Sequence, residues 1–179
     1  MVGNYIFKEM KIDDLHMDLL MHINRFQRIQ RSWALKCGEW QLIHNPFDYD
    51  WDEDRKYRTI HELREIKNSG GIVYGVFDSN NLIAFSSVGP KFLESRMDGY
   101  IPIGFIHVSL DYRNKGIGKR LFTMMCEKAK DIGALKLYIC IMPAEESNAF
   151  YTSVGCVDAA IVHEPLEDGD FGRLMEFAL

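Results

Sequence analysis

The most informative segment of the chain reads Val108-Ser109-Leu110-Asp111-Tyr112-Arg113-Asn114-Lys115-Gly116-Ile117-Gly118-Lys119-Arg120-Leu121. It begins at the end of the nearly all-apolar stretch 101–110, which predicts a buried strand, and leads into a helical pattern over 116–131. Two glycines at such a turn let the backbone approach a ligand closely. The first N–H groups of a helix lack intrahelical acceptors, and the helix dipole adds positive potential there. The segment therefore predicts an anion site suited to a pyrophosphate.

The segments around this turn predict a mixed sheet. Stretch 135–142 is apolar on both faces and predicts a central strand, so 101–142 reads as a strand–helix–strand unit with a parallel crossover. Stretches 72–77 and 82–88 flank a polar turn and predict an antiparallel hairpin. Further strands are expected at 4–10, 156–163 and 173–179, and further helices at 57–66 and 145–154. The predicted fold class is α/β (α+β), with a mostly antiparallel central sheet of about six to seven strands and helices on both faces.

Two N-terminal regions lead to separate expectations. Asp13 is positioned to cap a helix, and the apolar spacing predicts that this helix extends over the residues that follow. Its apolar face would contain Leu15, Leu19, Ile23, Phe26 and Trp33. Residues 37–53 are aromatic-rich and interrupted by Asn45-Pro46, which predicts an irregular segment.

The composition limits the class of protein. The chain has 179 residues, 47% of them hydrophobic, and a net charge of −5. This predicts one folded domain over 1–179 and excludes a disordered or fibrous chain. A pI near 5.7 argues against a nucleic-acid partner. Because the chain has no signal-peptide pattern, no long apolar run and no Cys-x-x-Cys pair, we expect a cytoplasmic protein without membrane or metal binding.

A second block lies downstream and reads Ser147-Asn148-Ala149-Phe150-Tyr151-Thr152-Ser153-Val154-Gly155-Cys156. Together with the first segment it resembles the GNAT superfamily of acetyl-CoA-dependent N-acetyltransferases. The first segment is similar to the family's Arg/Gln-x-x-Gly-x-Gly/Ala signature, and the second to its Ser/Ala-x-Ala-Phe-Tyr-x-x-x-Gly-Phe block. The two blocks span residues 108–156, and the predicted element order is compatible with the GNAT fold.

The resemblance implies a function and a set of site residues. Acetyl-CoA would be the co-substrate, and the acceptor a small-molecule or peptide amine; a homodimer is a family-level expectation. Backbone near Ile106 and Val108 would pair with the pantetheine arm and polarise the thioester carbonyl. Tyr151 would be the general acid that protonates the departing thiolate, and Ser147 would join the cofactor site. The pyrophosphate would be held through main-chain amides by Arg113, Asn114, Lys115, Gly116, Ile117, Gly118 and Lys119.

The chain departs from the family pattern at three places. A frequent family asparagine is Ala144, and the usual aromatic after the glycine is Cys156. Where several members carry a basic catalytic group on the strand, this chain has Pro102 and Gly104. The group that deprotonates the amine is therefore open, and the alternatives are a water relay, His107, Glu164 or the acidic stretch 48–54.

Charge is separated along the chain. Residues 113–130 hold six basic side chains against one acid, while 48–54 hold five acids and no base. The acidic stretch is compatible with a site for a cationic amine or with a solvated loop before a helix. Two other functions stay open: transfer of a longer acyl group, and a non-catalytic CoA-binding or regulatory module. A nucleotide-binding loop is disfavoured because no Gly-Lys-Ser/Thr follows the glycines.

Overall fold

A computed structural model describes residues 4–89, 98–161 and 172–179. In this part of the chain the strands are β1 (Ile6–Glu9), β2 (Gln27–Lys36), β3 (Glu39–Tyr49), β4 (Ile72–Asp78), β5 (Asn81–Val88), β6 (Tyr100–Val108), β7 (Lys136–Ile141), β8 (Val157–Asp158) and β9 (Arg173–Ala178). The α-helices are α1 (Glu53–Asn68), α2 (Ile117–Asp131) and α3 (Glu145–Ser153). No helix of these residues is long and apolar enough to cross a membrane.

The central sheet contains seven of the described strands in the order β1-β4-β5-β6-β7-β9-β8. The β6–β7 pair is parallel, and every other neighbouring pair in this sheet is antiparallel. Helix α2 connects β6 to β7, because a parallel pair needs a crossover. The mixed, mostly antiparallel sheet and the crossover over 101–142 are confirmed.

Two apolar cores lie against the sheet. Helix α2 packs with Ile83, Ala84 and Ile101 of the sheet in one core. Helix α1 and the N-terminal segment pack with Val73 and Phe85 in the other. Adjacent positions of β5, Ala84 and Phe85, thus serve different cores, as alternation along a strand requires. Ile83 lies in the same core as Ala84 because the pairing of β5 with β4 shifts at Ile83. Helices on both faces are confirmed.

The helix predicted from Asp13 is wrong. Only a short 3-10 turn, Ile12–Asp14, forms there, and turns follow it in which the N–H groups of Leu19, Met21 and Ile23 bond the carbonyl three residues back. Leu15, Leu19 and Ile23 are buried as the pattern predicted, but Trp33 lies on β2. Apolar spacing reports which residues are buried, and repeated turns bury the same positions as a helix.

The prediction of an irregular segment at 37–53 is wrong for Glu39–Tyr49, because these residues form β3, which pairs with β2 in a two-stranded hairpin. Its loop is Cys37-Gly38, and both residues have positive φ, which suits the right-handed twist of a hairpin. The pairing shifts between Ile29–Phe47 and Arg31–His44, so the bulge accommodates Pro46. The break expected at Asn45-Pro46 is therefore a bulge within a strand.

The strand predicted at 156–163 is shorter than expected. Only Val157–Asp158 pair with β9, and residues 162 and 163 lie outside the described residues. The other predicted elements, at 57–66, 72–77, 82–88, 101–110, 116–131, 135–142, 145–154 and 173–179, are confirmed with small shifts at their ends.

Asp52 determines where α1 begins, because its carboxylate accepts a hydrogen bond from the Arg55 N–H at 2.7 Å. We expect Asp52→Ala to lower the free energy of unfolding by about 1 kcal/mol and the melting temperature by roughly 2–4 °C. Asp52→Asn is the matched control, since an asparagine oxygen retains the cap. Equal melting temperatures for wild type, Asp52→Ala and Asp52→Asn would contradict the capping role.

Candidate functional site

Strands β6 and β7 separate partway along their length. They pair only from Tyr100–Ile103 on β6 to Lys136–Ile139 on β7, although β6 continues to Val108. The pairing of β6 with β5 shifts between Ile103 and Phe105, which places Gly104 in a bulge. A bulge bends its strand and interrupts the ladder. A Cβ at Gly104 would lie 2.7 Å from the Ser87 Oγ, so glycine is required where the strand bends.

The separated part of β6 exposes its backbone to the gap. The Ser109 N–H donates to the Ile83 carbonyl of β5. Because backbone groups alternate between the two edges of a strand, those of Ile106 and Val108 face the opposite edge, away from β5. The Val108 carbonyl accepts a hydrogen bond from the Arg113 Nε at 3.1 Å. The main-chain groups of Ile106 and the N–H of Val108 are thus presented where a strand-like ligand can pair with them.

A cavity of about 650 Å³ opens at this gap. Ten of the eleven site residues predicted from the sequence line it: Ile106, Val108, Arg113, Asn114, Gly116, Ile117, Gly118, Lys119, Ser147 and Tyr151. The exception is Lys115, whose ammonium donates to the Asp111 carbonyl at 2.7 Å and lies over the Tyr112 ring. The Lys115 side chain therefore does not line the cavity.

The N-terminus of α2 forms one wall of the cavity. Gly116 is the N-cap residue with φ of +80°, a left-handed conformation that favours glycine. The first N–H of the helix to find a helical acceptor is that of Arg120, which bonds the Gly116 carbonyl. The preceding N–H groups, from Ile117 to Lys119, are free to bind an anion. The arrangement agrees with the anion site that the two glycines predicted.

Gly118 brings three elements close together. A Cβ at this position would lie 3.3 Å from the Phe150 ring of α3 and 3.8 Å from a Val108 methyl group of β6. The second glycine of the motif thus allows α2 to pack against α3 and the end of β6.

Arg113 has a different position from the one its place in the motif suggests. Its guanidinium donates to the carbonyls of Val108 and Arg25 at 3.1 and 3.2 Å, and burial lowers its pKa. The side chain therefore ties the end of β6 to the segment before β2, while its main chain stays in the turn that lines the cavity.

Tyr151 lies on α3 with its ring packed edge-to-face against Phe150 and Phe122 at 5.0 and 6.4 Å between centroids. Burial raises the pKa of its hydroxyl above the usual range, so the group stays protonated at neutral pH. A protonated hydroxyl in the cavity wall is chemically able to donate a proton.

His107 lines the same cavity from β6. Its ring lies among aromatic rings, 4.6 Å from Trp51, 5.4 Å from Phe85 and 5.8 Å from Phe105. Burial, with the charges of Arg25, Arg113 and Arg55, lowers its pKa well below the usual value. The imidazole is therefore neutral at pH 7, and the site disfavours its protonation.

The acidic stretch 48–54 has structural partners. Asp48 pairs with Arg28 through two hydrogen bonds of 3.0 and 3.1 Å. Asp50 accepts from the Trp51 N–H, and Asp52 caps α1. None of the acids of 48–54 lines the cavity. Among the cavity-lining residues the carboxylate is that of Glu146, which lies 3.4 Å from the Gln27 amide.

Two of the three departures from the family pattern, Ala144 and Cys156, fall at buried positions. Ala144 is buried, and its carbonyl accepts a hydrogen bond from the Asn148 amide at 3.0 Å. Cys156 is buried in the α2 core. Glu164, an alternative for deprotonating the amine, lies outside the described residues. Among residues 4–89, 98–161 and 172–179, no group of three or more His, Cys, Asp or Glu could hold a metal ion.

One wall of the cavity was not predicted from the sequence. This wall is formed by Arg25, Phe26, Gln27 and Arg28. These residues were placed in or beyond a predicted helix, and no motif marks them. The feature that distinguishes this segment is Arg25, which is buried although it is charged. Its burial is known only from the folded structure, so the sequence alone does not mark it as a site residue.

Comparison with known proteins gives a family and a fold. The model of the acetyltransferase (GNAT) family matches residues 37–156. A Bacillus anthracis protein provisionally named as a streptothricin acetyltransferase, in complex with acetyl coenzyme A, superposes with a TM-score of 0.71 at 17% identity, covering 98% of this chain and 99% of that one. No curated protein matches the sequence.

Two further solved structures have the same fold. The PaiA N-acetyltransferase of Thermoplasma acidophilum, in complex with coenzyme A, has a TM-score of 0.62 at 16% identity and covers 98% of this chain and 99% of its own. The ribosomal-protein-S18-alanine N-acetyltransferase of Escherichia coli has a TM-score of 0.60 at 16% identity, covering 97% and 93%. At such identities the likeness establishes the fold alone.

The lowered pKa of His107 predicts a pH-dependent stability. The unfolded chain binds a proton at His107 below about pH 6.5, whereas the folded protein does not, so stability falls as the pH drops from there toward the folded pKa. We expect this group to contribute a slope of up to about 1.4 kcal/mol per pH unit. His107→Phe keeps the aromatic packing and should remove that slope, as measured by urea unfolding between pH 5 and pH 7. Parallel curves for both proteins would contradict the prediction.

Proposed function

Because the chain belongs to the GNAT family of acetyltransferases, we propose that it transfers an acetyl group from acetyl-CoA to a primary amine by direct attack in a ternary complex. The observation that carries the proposal is the meeting, in one cavity, of the open edge of β6 and the N-terminus of α2. We further infer that residues 1–179 form one domain, since β1 and β9 belong to the same sheet.

In the proposed complex the pyrophosphate of CoA binds to the free N–H groups from Ile117 to Lys119. Main-chain donors at a helix N-terminus suit this group because they combine hydrogen bonds with the positive end of the dipole. Lys119 also lines the cavity and adds a positive charge, whereas the side chains of Lys115 and Arg113 have other partners. The cofactor is therefore held mainly by backbone, which explains the need for Gly116.

The pantetheine arm would then run along the separated part of β6. The main-chain groups of Ile106 and the N–H of Val108 face the gap and can pair with its amides as a neighbouring strand would. An N–H on the same edge would donate to the thioester carbonyl, whose oxygen gains negative charge as the amine attacks. The separation of β6 from β7 leaves this space free.

In the proposed reaction the amine nitrogen attacks the thioester carbon and the C–N bond forms. The C–S bond breaks, and the CoA thiolate takes a proton from the Tyr151 hydroxyl. The amine loses a proton, for which we propose a water molecule as acceptor. The neutral His107 lines the cavity and can accept a hydrogen bond from that water, which supports a positioning role for the imidazole.

The position of Gly116 provides a test of cofactor binding. A Cβ there would have no neighbour within 4 Å, and both asparagine and aspartate tolerate a left-handed backbone. We expect Gly116→Asp to weaken CoA binding at least about tenfold relative to Gly116→Asn, because a carboxylate repels the pyrophosphate. Isothermal titration with CoA measures the difference. Equal affinities in the two variants would place the pyrophosphate elsewhere.

The activity itself is tested by release of free thiol from acetyl-CoA across a panel of amines. We expect turnover with at least one amine, and a drop in kcat of about 10²-fold in Tyr151→Phe with CoA affinity nearly unchanged, since general acid catalysis contributes on this scale. Phe150→Leu is the control for altered packing around the same helix.

Three outcomes of this assay would count against the proposal. CoA binding without turnover on any amine would favour the non-catalytic CoA-binding module. Faster turnover with longer acyl-CoA donors would favour transfer of a longer acyl group. Wild-type kcat in Tyr151→Phe would remove the acid role of that residue.

A further inference from the structure

Arg25 occupies an unusual position in the cavity wall. The residue is 7% exposed, and its guanidinium carbon lies 5.1 Å from the Tyr49 ring centroid and 5.8 Å from that of Trp51. Its backbone is held in place because its carbonyl accepts from Arg113 at 3.2 Å. The residue thus lines the cavity from a fixed segment and between aromatic rings.

The guanidinium of Arg25 lacks a carboxylate partner among the described residues. Its Nη1 donates to the Gln27 side-chain oxygen at 3.1 Å, and its buried Nε has no hydrogen-bond partner. Arg113, the nearby cation, repels it, and Asp50 attracts it from beyond hydrogen-bonding distance. Burial and this repulsion lower its pKa to about 10, so the group stays charged at neutral pH.

Three other arginines of the region are paired with carboxylates. Arg28 binds Asp48, Arg31 binds Glu145, and Arg55 binds Glu62. Those arginines are more exposed than Arg25, although exposed charges need a partner less than buried ones do. A buried cation without a counter-ion is unfavourable in the empty protein. Such a group is therefore suited to an anion that arrives from outside.

Arg25 and the N-terminus of α2 line the same cavity from opposite faces of the end of β6. Ile106 and Val108 pack on the α2 side of β6. Phe105 and His107 project to the other side, where the His107 ring meets Trp51 at 4.6 Å. Arg25 lies over Trp51 on this second side. Its guanidinium is therefore placed on the His107 face of β6, where the proposed reaction deprotonates the amine, and the helix N-terminus lies on the other face.

We propose that Arg25 binds an anionic group, carboxylate or phosphate, that the acceptor amine itself carries. This inference rests on the proposed function, because it names the class of acceptor for that same site. The guanidinium fork can donate two parallel hydrogen bonds to either anion. The acceptor is then an amine of zwitterionic type, such as an amino acid or an aminoalkyl phosphate, rather than a polycation.

The pairing predicts strong selectivity. An acceptor without the anion leaves the buried charge of Arg25 uncompensated, so it loses more than one hydrogen bond. The contrast between an amino acid and its amide isolates this effect, because the two differ only in the charged group. O-phosphoethanolamine and ethanolamine provide the matching contrast for phosphate.

The experiment measures kcat/KM by thiol release from acetyl-CoA for the standard amino acids, their amides and the phosphate pair. In the wild type we expect at least one anionic amine to exceed its neutral counterpart by about tenfold or more. In Arg25→Met this ratio should fall to about one, and Arg25→Lys should retain part of it. Arg58→Met, which removes an exposed cation from α1, is the matched control and should keep the wild-type ratio.

A ratio within one variant does not depend on how much of the protein is folded, so it remains informative if Arg25→Met is less stable. A wild-type ratio near one, or an unchanged ratio in Arg25→Met, would overturn the inference. A loss of CoA affinity in Arg25→Met as large as the loss of acceptor selectivity would also overturn it, because Arg25 would then serve the cofactor.

The two proposals fail in distinguishable ways. If neutral amines are acetylated as well as anionic ones, the proposed function stands and the anion site does not. If no amine is acetylated, the proposed function fails. The anion site at Arg25 is then tested by calorimetric binding of N-acetyl amino acids and their amides to the CoA-bound protein. Preferential binding of the acids that disappears in Arg25→Met would support the anion site, and equal binding would overturn it.

Discussion

The separation of β6 from β7 after Ile103 is the constraint on which the rest of the site depends. Gly104 sits in the bulge that shifts the pairing of β6 with β5, and the same bulge turns the backbone of Ile106 and Val108 toward the gap. Were the two strands paired to their ends, the edge of β6 would be satisfied within the sheet and no ligand could pair with it. The bulge thus opens a binding cleft between two neighbouring strands in the middle of the sheet.

A second feature supports the cleft from the side of α3. The β2–β3 hairpin contacts the segment before that helix, where the Trp33 N–H donates to the Pro143 carbonyl at 2.8 Å and Ser32 pairs with Ala144. Arg31 adds an ion pair to Glu145 in the first turn. These contacts position α3, and with it Tyr151, against the end of β6. The hairpin also supplies Tyr49, one of the rings beneath Arg25.

The charge distribution has a different meaning in the folded molecule than along the chain. Of the acids of 48–54, Asp52 caps a helix, Asp48 pairs with an arginine and Asp50 bonds to backbone, and none of the five lines the cavity. The cavity instead receives Arg25, Arg28, Arg113 and Lys119, with Glu146 as their counterpart. A phosphorylated cofactor suits such a surface, and in the proposed reaction the acceptor must suit it as well. The charge of the cavity wall thus depends on which side chains the fold brings there, and those side chains come from distant parts of the chain.

The sequence by itself determined the α2 turn, because the backbone conformation at position 116 locally requires glycine. It also determined the strand–helix–strand unit, because a strand buried on both faces leaves a nearly continuous apolar run. It also identified Tyr151 and the cavity-lining residues of the two motifs. The tertiary structure decided the β2–β3 hairpin, the bulge at Gly104 and the place of Arg25. Periodicity reports which residues are buried, but it carries no information on which strand bends away from its neighbour or which charge is left without a partner. Those depend on contacts between residues far apart in the chain, such as Arg25 with Arg113 and Ser32 with Ala144.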